Sequence, residues 1–337
     1  MKRKTDTVNL GLPVFANPKK DLIGKPNVFT DSWYVLCNFQ HEGREIGFEW
    51  HQAIFTERGQ KVSATEFLLM DASRQIWLDN AINEPVSSKA GADFEHCSVT
   101  SAFGTLQGNE RELHLKAETE KGAIDVVLRP QQQIMYNGTV GVLPLWGSQS
   151  FQFAYPNMTI TGTIRLHDEM IKIQETTAWL DRQWTYPNPE NRGFDFLGSL
   201  PSWLWLGMTL TPDSQSAISL WDVCYGNGER YTFATLLDKN GNQNNHIAYL
   251  TYRNIWASER TGNSYPAELY IKIPTANIEL TLTAMLERPE FSHGNDGEVN
   301  INGCQSPCQV RGHYGDTPVQ RMVILEMIGD VCGELKS

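Results

Sequence analysis

Period-two alternation dominates this chain. Met158-Thr159-Ile160-Thr161-Gly162-Thr163-Ile164-Arg165-Leu166 switches cleanly between apolar and polar positions. So do Glu112-Leu113-His114-Leu115-Lys116-Ala117, Leu269-Tyr270-Ile271-Lys272-Ile273 and Asn277-Ile278-Glu279-Leu280-Thr281-Leu282-Thr283-Ala284. Successive strand side chains point to opposite faces, so each segment predicts a half-buried antiparallel strand. Turn signals separate them at Glu42-Gly43, Gln107-Gly108-Asn109, Lys121-Gly122, Asn227-Gly228, Asn240-Gly241-Asn242 and Gly294-Asn295-Asp296-Gly297. Helical periodicity is scarce. Many short strands with regular turns predict an all-β fold of barrels or sandwiches.

The chain also echoes itself. Ser32-Trp33-Tyr34-Val35-Leu36 with Trp50 following is answered by Ser202-Trp203-Leu204-Trp205-Leu206 with Trp221 following. The offset is about half the chain, which predicts two related β domains. Chance similarity between aromatic-rich strands is the alternative. The most turn-rich connector near the middle is Tyr186-Pro187-Asn188-Pro189-Glu190-Asn191-Arg192-Gly193, giving domains 1–190 and 191–337.

Composition narrows the function. With 337 residues, 40% hydrophobic and 20% charged, the chain is globular and long enough for two domains. A net charge of -11 argues against nucleic acid and against anionic lipid surfaces as partners. No apolar run reaches the roughly 18 residues a spanning helix needs. The start, Met1-Lys2-Arg3-Lys4-Thr5-Asp6, has no apolar run behind it and does not read as a secretory signal. Six cysteines are too few for a disulfide scaffold, and Cys304 with Cys308 is a poor zinc signal. These features suggest reduced thiols and a cytoplasmic protein, where the sequons at Asn137 and Asn157 carry no meaning.

Three places carry candidate chemistry. In Thr177-Ala178-Trp179-Leu180-Asp181-Arg182-Gln183-Trp184 a single acid sits among large aromatics. Burial disfavours the charged carboxylate, so Asp181 could hold a proton at neutral pH and act as a general acid. The plain alternative is that it pairs with Arg182 or caps a turn. On a strand Arg182 points away from Asp181, which then shares a face with Trp179 and Gln183; Trp184 joins them only if the chain bends. In Glu49-Trp50-His51-Gln52 the apolar face is expected to point inward, leaving Gln52 as a polar anchor in an apolar cavity or as a structural hydrogen-bonding group. Glu49 and His51 read as a solvated salt link rather than an acid–base pair. Glu326 sits in the apolar segment Val323-Ile324-Leu325-Glu326-Met327-Ile328-Gly329 and is read as facing solvent or entering the pocket. Phosphate loops, G-x-S-x-G elbows and HExxH motifs are absent.

Four landmarks in order resemble a known family. They are Ser32-Trp33-Tyr34 with Gly43 to Phe55; Gln149-Ser150-Phe151-Gln152-Phe153-Ala154-Tyr155-Pro156-Asn157-Met158 leading to Gly162; Ala178 to Trp184; and Gly312 to Gly329. The chain resembles the lipocalin-like superfamily of the AttH proteins, the carotenoid 1,2-hydratases, kievitone hydratase and the decalin-forming Diels–Alderases. It departs from that pattern at Ser32, where a second tryptophan is usual, at Arg182, where histidine is usual, and at Thr185, where glycine is common. The resemblance implies two lipocalin-like antiparallel β domains packed together, with an apolar pocket at or near their junction.

The resulting expectation is a cofactor-independent cyclase that folds an apolar polyene, polyketide or isoprenoid in an aromatic cavity. Arg182 in the place of histidine tilts the reading towards cyclase. A hydratase with Asp181 as general acid is the first alternative, and a non-catalytic lipid carrier the second. Asp181 and Gln52 are the expected catalytic groups. Trp33, Tyr34, Trp50, Tyr155, Trp179, Trp184, Trp221 and Glu326 are expected to line the pocket. No cofactor is implied, the partner is an apolar small molecule, and the oligomeric state is open.

Overall fold

The computed structural model describes residues 16–57, 60–131, 133–143, 150–186, 202–211, 213, 215–225, 228–293 and 301–333. Among these the one α-helix is a single turn, Pro18–Asp21. The rest of the regular structure is antiparallel strand with a few 3-10 turns, as the alternation predicts. The four alternating segments fall in the strands Ser150–Leu166, Leu113–Glu118, Ser264–Ile273 and Ile278–Ala284.

Two curled sheets share one topology. In the first, Thr30–His41, Arg44–Glu57, Gln60–Asp71 and Ile76–Pro85 run as a meander. Glu169–Thr185 returns to pair with Thr30–His41, and Ser150–Leu166 and Gly122–Pro130 follow outward. In the second, Ser202–Thr209, Ala217–Cys224, Arg230–Leu237 and Gln243–His246 repeat the meander. Thr317–Ile328 pairs back onto Ser202–Thr209, with Ile301–Tyr314 beyond it. The change of sheet falls between Thr185 and Ser202, so the expected boundary at 190/191 lies outside the described residues. No helix among the described residues is long and apolar enough to cross a membrane, and all six cysteines are free thiols.

The tryptophan echo follows this repeat, but with the faces exchanged. Trp33 and Trp50 fill the interior of the first sheet. Trp203 and Trp221 instead face outward from the second sheet, toward the first. There are accordingly three cores: one inside each sheet and one between them. The middle one joins Tyr34, Leu36, Leu68, Met70 and Trp179 to Trp205, Trp221 and Ile324. Each buried aromatic side chain removes roughly 150–250 Å² from water, an upper bound of about 4–6 kcal/mol per ring. The junction is therefore a core in its own right rather than a loose hinge. Gly207 permits its closest approach. A Cβ there would lie 2.6 Å from a Trp205 ring carbon and 2.8 Å from one of Trp179.

Candidate active site at the sheet junction

Strand alternation sorts the motif residues. Tyr34 lies opposite Asp181 on one side and His51 on the other, and His51 lies opposite Glu66. Opposed residues share a face, so Tyr34, Glu49, His51, Glu66, Trp179 and Asp181 all project from the first sheet toward the second. Trp33, Trp50, Gln52, Arg182 and Trp184 project the other way.

The outward acids are not solvated. Glu49 is fully buried because the second sheet covers it. It accepts from Tyr34 Oη at 2.7 Å and from Gln305 Nε2, on the second sheet, at 3.2 Å. Gln305 also reaches Glu326 at 3.5 Å, and Glu326 accepts from Trp203 Nε1 at 2.5 Å. The expected solvated link between Glu49 and His51 is thus corrected. His51 instead meets Ser32 Oγ at 2.9 Å and packs edge-on to Tyr34. Glu326 is buried too, so its solvent-facing alternative is also set aside.

Asp181 sits in the same junction, 5% exposed, and its Oδ1 has no hydrogen-bond partner among the described residues. Burial pushes its carboxyl well above the usual range; the N–H groups of Trp179 and Gln152 oppose this, while Glu326 adds to it. Glu49 is driven up by burial and then by Glu66 and Glu326. Glu326 is raised to about 7 by burial, against the Trp203 indole and with Glu66 adding. The Tyr34 phenol is driven up by burial and Glu49, so it stays neutral. None of the groups opposing these upward shifts is a lysine or arginine. Trp179 packs edge-on to Trp205 and Trp205 lies tilted against Trp221 in the same core, with centroid spacings of 6.0 and 6.4 Å.

Other expected site residues lie elsewhere. Gln52 is fully buried inside the first sheet, donating to Ser63 Oγ at 2.5 Å and accepting from Thr65 Oγ1 at 2.6 Å. Its amide serves that structure and does not face the junction. Trp184 does not join Asp181, because Glu169–Thr185 stays regular there and alternation carries it to the inner face. It stacks on Phe151 at 5.5 Å. Trp33, Trp50 and Tyr155 are likewise in the first core. Tyr34, Trp179, Asp181, Trp221 and Glu326 are the expected residues that the fold brings together. Sequence reasoning missed Glu66, Trp203, Trp205 and Gln305. For metal binding, Glu49, His51 and Glu66 are the best-placed group, with one ligand atom each within 4.8 Å of the others. Both Glu49 oxygens are already engaged by Tyr34 and Gln305.

The raised acid predicts a pH-dependent stability. An unfolded Glu326 ionises near 4.5 and the folded one near 7. Between those values the folded state holds the extra proton, so stability falls as pH rises and levels off above about 7. The change from this residue is of the order of 3 kcal/mol. Thermal melts from pH 5 to pH 8 should show a falling Tm, and Glu326→Gln should make the fall shallower, the remainder coming from Asp181 and Glu49. An unchanged slope in that variant would contradict the assignment.

The fold and site together define a two-sheet lipocalin-like protein with an aromatic, acid-bearing junction. The chain belongs to the AttH-like family, whose model matches residues 15–315. Dehydratase asqC of Emericella nidulans is 24% identical over 238 residues, covering 67% of this chain and 63% of that relative's length. An AttH protein of Nitrosomonas europaea shares the fold with a TM-score of 0.75 at 18% identity, covering 95% of this chain and 99% of that one. Kievitone hydratase from Nectria haematococca does so at 0.73 and 15%, covering 94% of each chain. The relatives with stated activities, a dehydratase and a hydratase, are enzymes.

Proposed function

We propose that this chain is a hydro-lyase acting on an apolar, unsaturated small molecule, adding water to a carbon–carbon double bond or removing it. The observation that carries this reading is the buried Asp181 carboxyl, raised in pKa and with an oxygen that no described residue engages. In the hydration direction Asp181 gives its proton to one alkene carbon. The faces of Trp179, Trp205 and Trp221 and the surrounding carboxyls stabilise the cation left on the other carbon. Water adds there, and its surplus proton passes to a carboxylate. Glu326, with its pKa near 7, is suited to receive it, so two acids held at different pKa values divide the acid and base roles.

A cyclase working by shape would use the same aromatic junction but has no need of the acid. That acid favours the hydro-lyase over the cyclase and over a passive carrier. The opposing hint, Arg182 in the place of histidine, loses its force because Arg182 faces away from the junction. The test is turnover of a panel of apolar alkenes and allylic alcohols in ¹⁸O-water. A product that has gained one labelled oxygen, or an alcohol that has lost its own, is expected. Ring closure without label would favour the cyclase, and unchanged substrate the carrier.

A further inference from the structure

The strands Ser202–Thr209 and Thr317–Ile328 pair at Trp203–Ile328, Leu204–Met327 and Trp205–Glu326. Beyond Trp205 no further pairing joins them, although both strands run on. A cleft of about 390 Å³ opens at this split and is closed from the other side by the first sheet. Its lining is mixed: Leu36, Trp179 and Met322 are apolar, Asn38 and Thr209 are polar, and Arg321 enters it.

Arg321 is half-buried. Its Nη1 donates to Thr209 Oγ1 and its Nη2 to the Thr211 carbonyl at 3.2 Å, which steadies the unpaired strand edge. Its Nε is buried and has no partner among the described residues. Other shielded arginines of this chain face a carboxylate: Arg44 meets Asp71, Arg182 meets Asp31 and Arg230 meets Asp222. Arg321 has no such partner among the described residues, in a chain with eleven more acids than bases. Glu45 also lines the cleft but is bonded to Gln40 at 2.8 Å. A guanidinium keeps its charge and suits planar oxyanions, so a shielded one with no carboxylate in contact with it among the described residues is suited to an anion from outside.

We propose that this cleft binds the carboxylate end of an apolar ligand, with the Arg321 guanidinium facing the oxyanion and the flat body lying against Trp179. Trp179 lies two residues from Asp181 on the same strand face. A ligand held here extends toward that acid, and to this extent the inference rests on the hydro-lyase reading. The binding itself does not.

The probes are retinoate and retinol, the same polyene with a carboxylate or a neutral alcohol, titrated against the full chain by tryptophan quenching at low salt. Wild type should bind retinoate about 10–100-fold more tightly than retinol, the strength of one charge-assisted hydrogen bond. Arg321→Gln should lose that preference and keep its retinol affinity. Asp181→Asn should keep the preference, which separates a failure of the acid chemistry from a failure of this subsite. Equal binding of the two retinoids by wild type, no retinoate binding up to its solubility, or a preference surviving in Arg321→Gln would each overturn the proposal. If the Gln variant does not fold, Arg321→Lys decides. Its point charge lacks the planar fork, so a reduced preference is expected and an unreduced one overturns the assignment.

Discussion

Replacing Asp181 by Asn should lower turnover by about 10²–10⁴-fold while leaving substrate binding nearly unchanged. Asn keeps the shape and removes the transferable proton. The loss should appear in kcat rather than KM, because the proton moves only in the transition state. The wild-type rate should rise with pH as Glu326 becomes a carboxylate and fall at higher pH as Asp181 ionises, since a general acid works only while protonated and a base only while ionised. The high value expected for Asp181 puts its limb on the alkaline side, and Glu326, near 7, sets the other limb if it acts as base. A variant that keeps full turnover would end the acid role of Asp181. In that case opening the junction with Trp179→Ala should be the more damaging change, as expected for catalysis by confinement of a reactive shape.

The largest stability effect should come from the neighbouring residue. Arg182 is fully buried, with its guanidinium 4.0 Å from the Trp33 ring centroid and 2.5 Å from Asp31 Oδ1. It also donates to the carbonyls of Asp21, Ile23, Ser32 and Gln183. Arg182→Met keeps the bulk but takes the charge partner from buried Asp31, which retains the Lys25 backbone N–H, and the side-chain donor from four carbonyls. Breaking a buried pair from one side costs about 3–5 kcal/mol. Urea unfolding should show that loss in the midpoint with an unchanged slope. Adding Asp31→Asn should recover the part due to charge but not the part due to the carbonyls. A single variant within 1 kcal/mol of wild type, allowing for about 0.5 kcal/mol of ordinary surface scatter, would contradict this account.

Alternation alone separated Arg182 from Asp181, and it supplied the strands and the topology class. It failed where a second layer intervened. The polar face of a strand normally meets water, so Glu49 read as solvated and Glu326 as facing either solvent or the pocket, yet both are buried where the two sheets meet. The bond from Gln305 to Glu49 joins residues 256 positions apart, and no local pattern encodes it. Trp205 and Glu66 were unreadable for the same reason: each looks like an ordinary strand residue until its partner sheet is in place. The expected place of Trp184 in the pocket was missed for the opposite reason. Nothing interrupts the ladder there, so period two holds to the end of the strand. The tryptophan echo marked a true repeat of topology but not of side, because each half buries its own tryptophans where its partner requires them.

That exchange of faces bears on modularity. Two copies of one strand order suggest modules that could be cut apart and reused, but each copy has given up its independence. A lone first half would bare Tyr34, Leu36 and Trp179. A lone second half would bare Trp205 and Trp221. Neither surface suits water, since each is an apolar, aromatic patch. The duplicated architecture has therefore become obligate. The halves can be expressed as two chains only if they reassociate, and the junction belongs to the pair and to neither half.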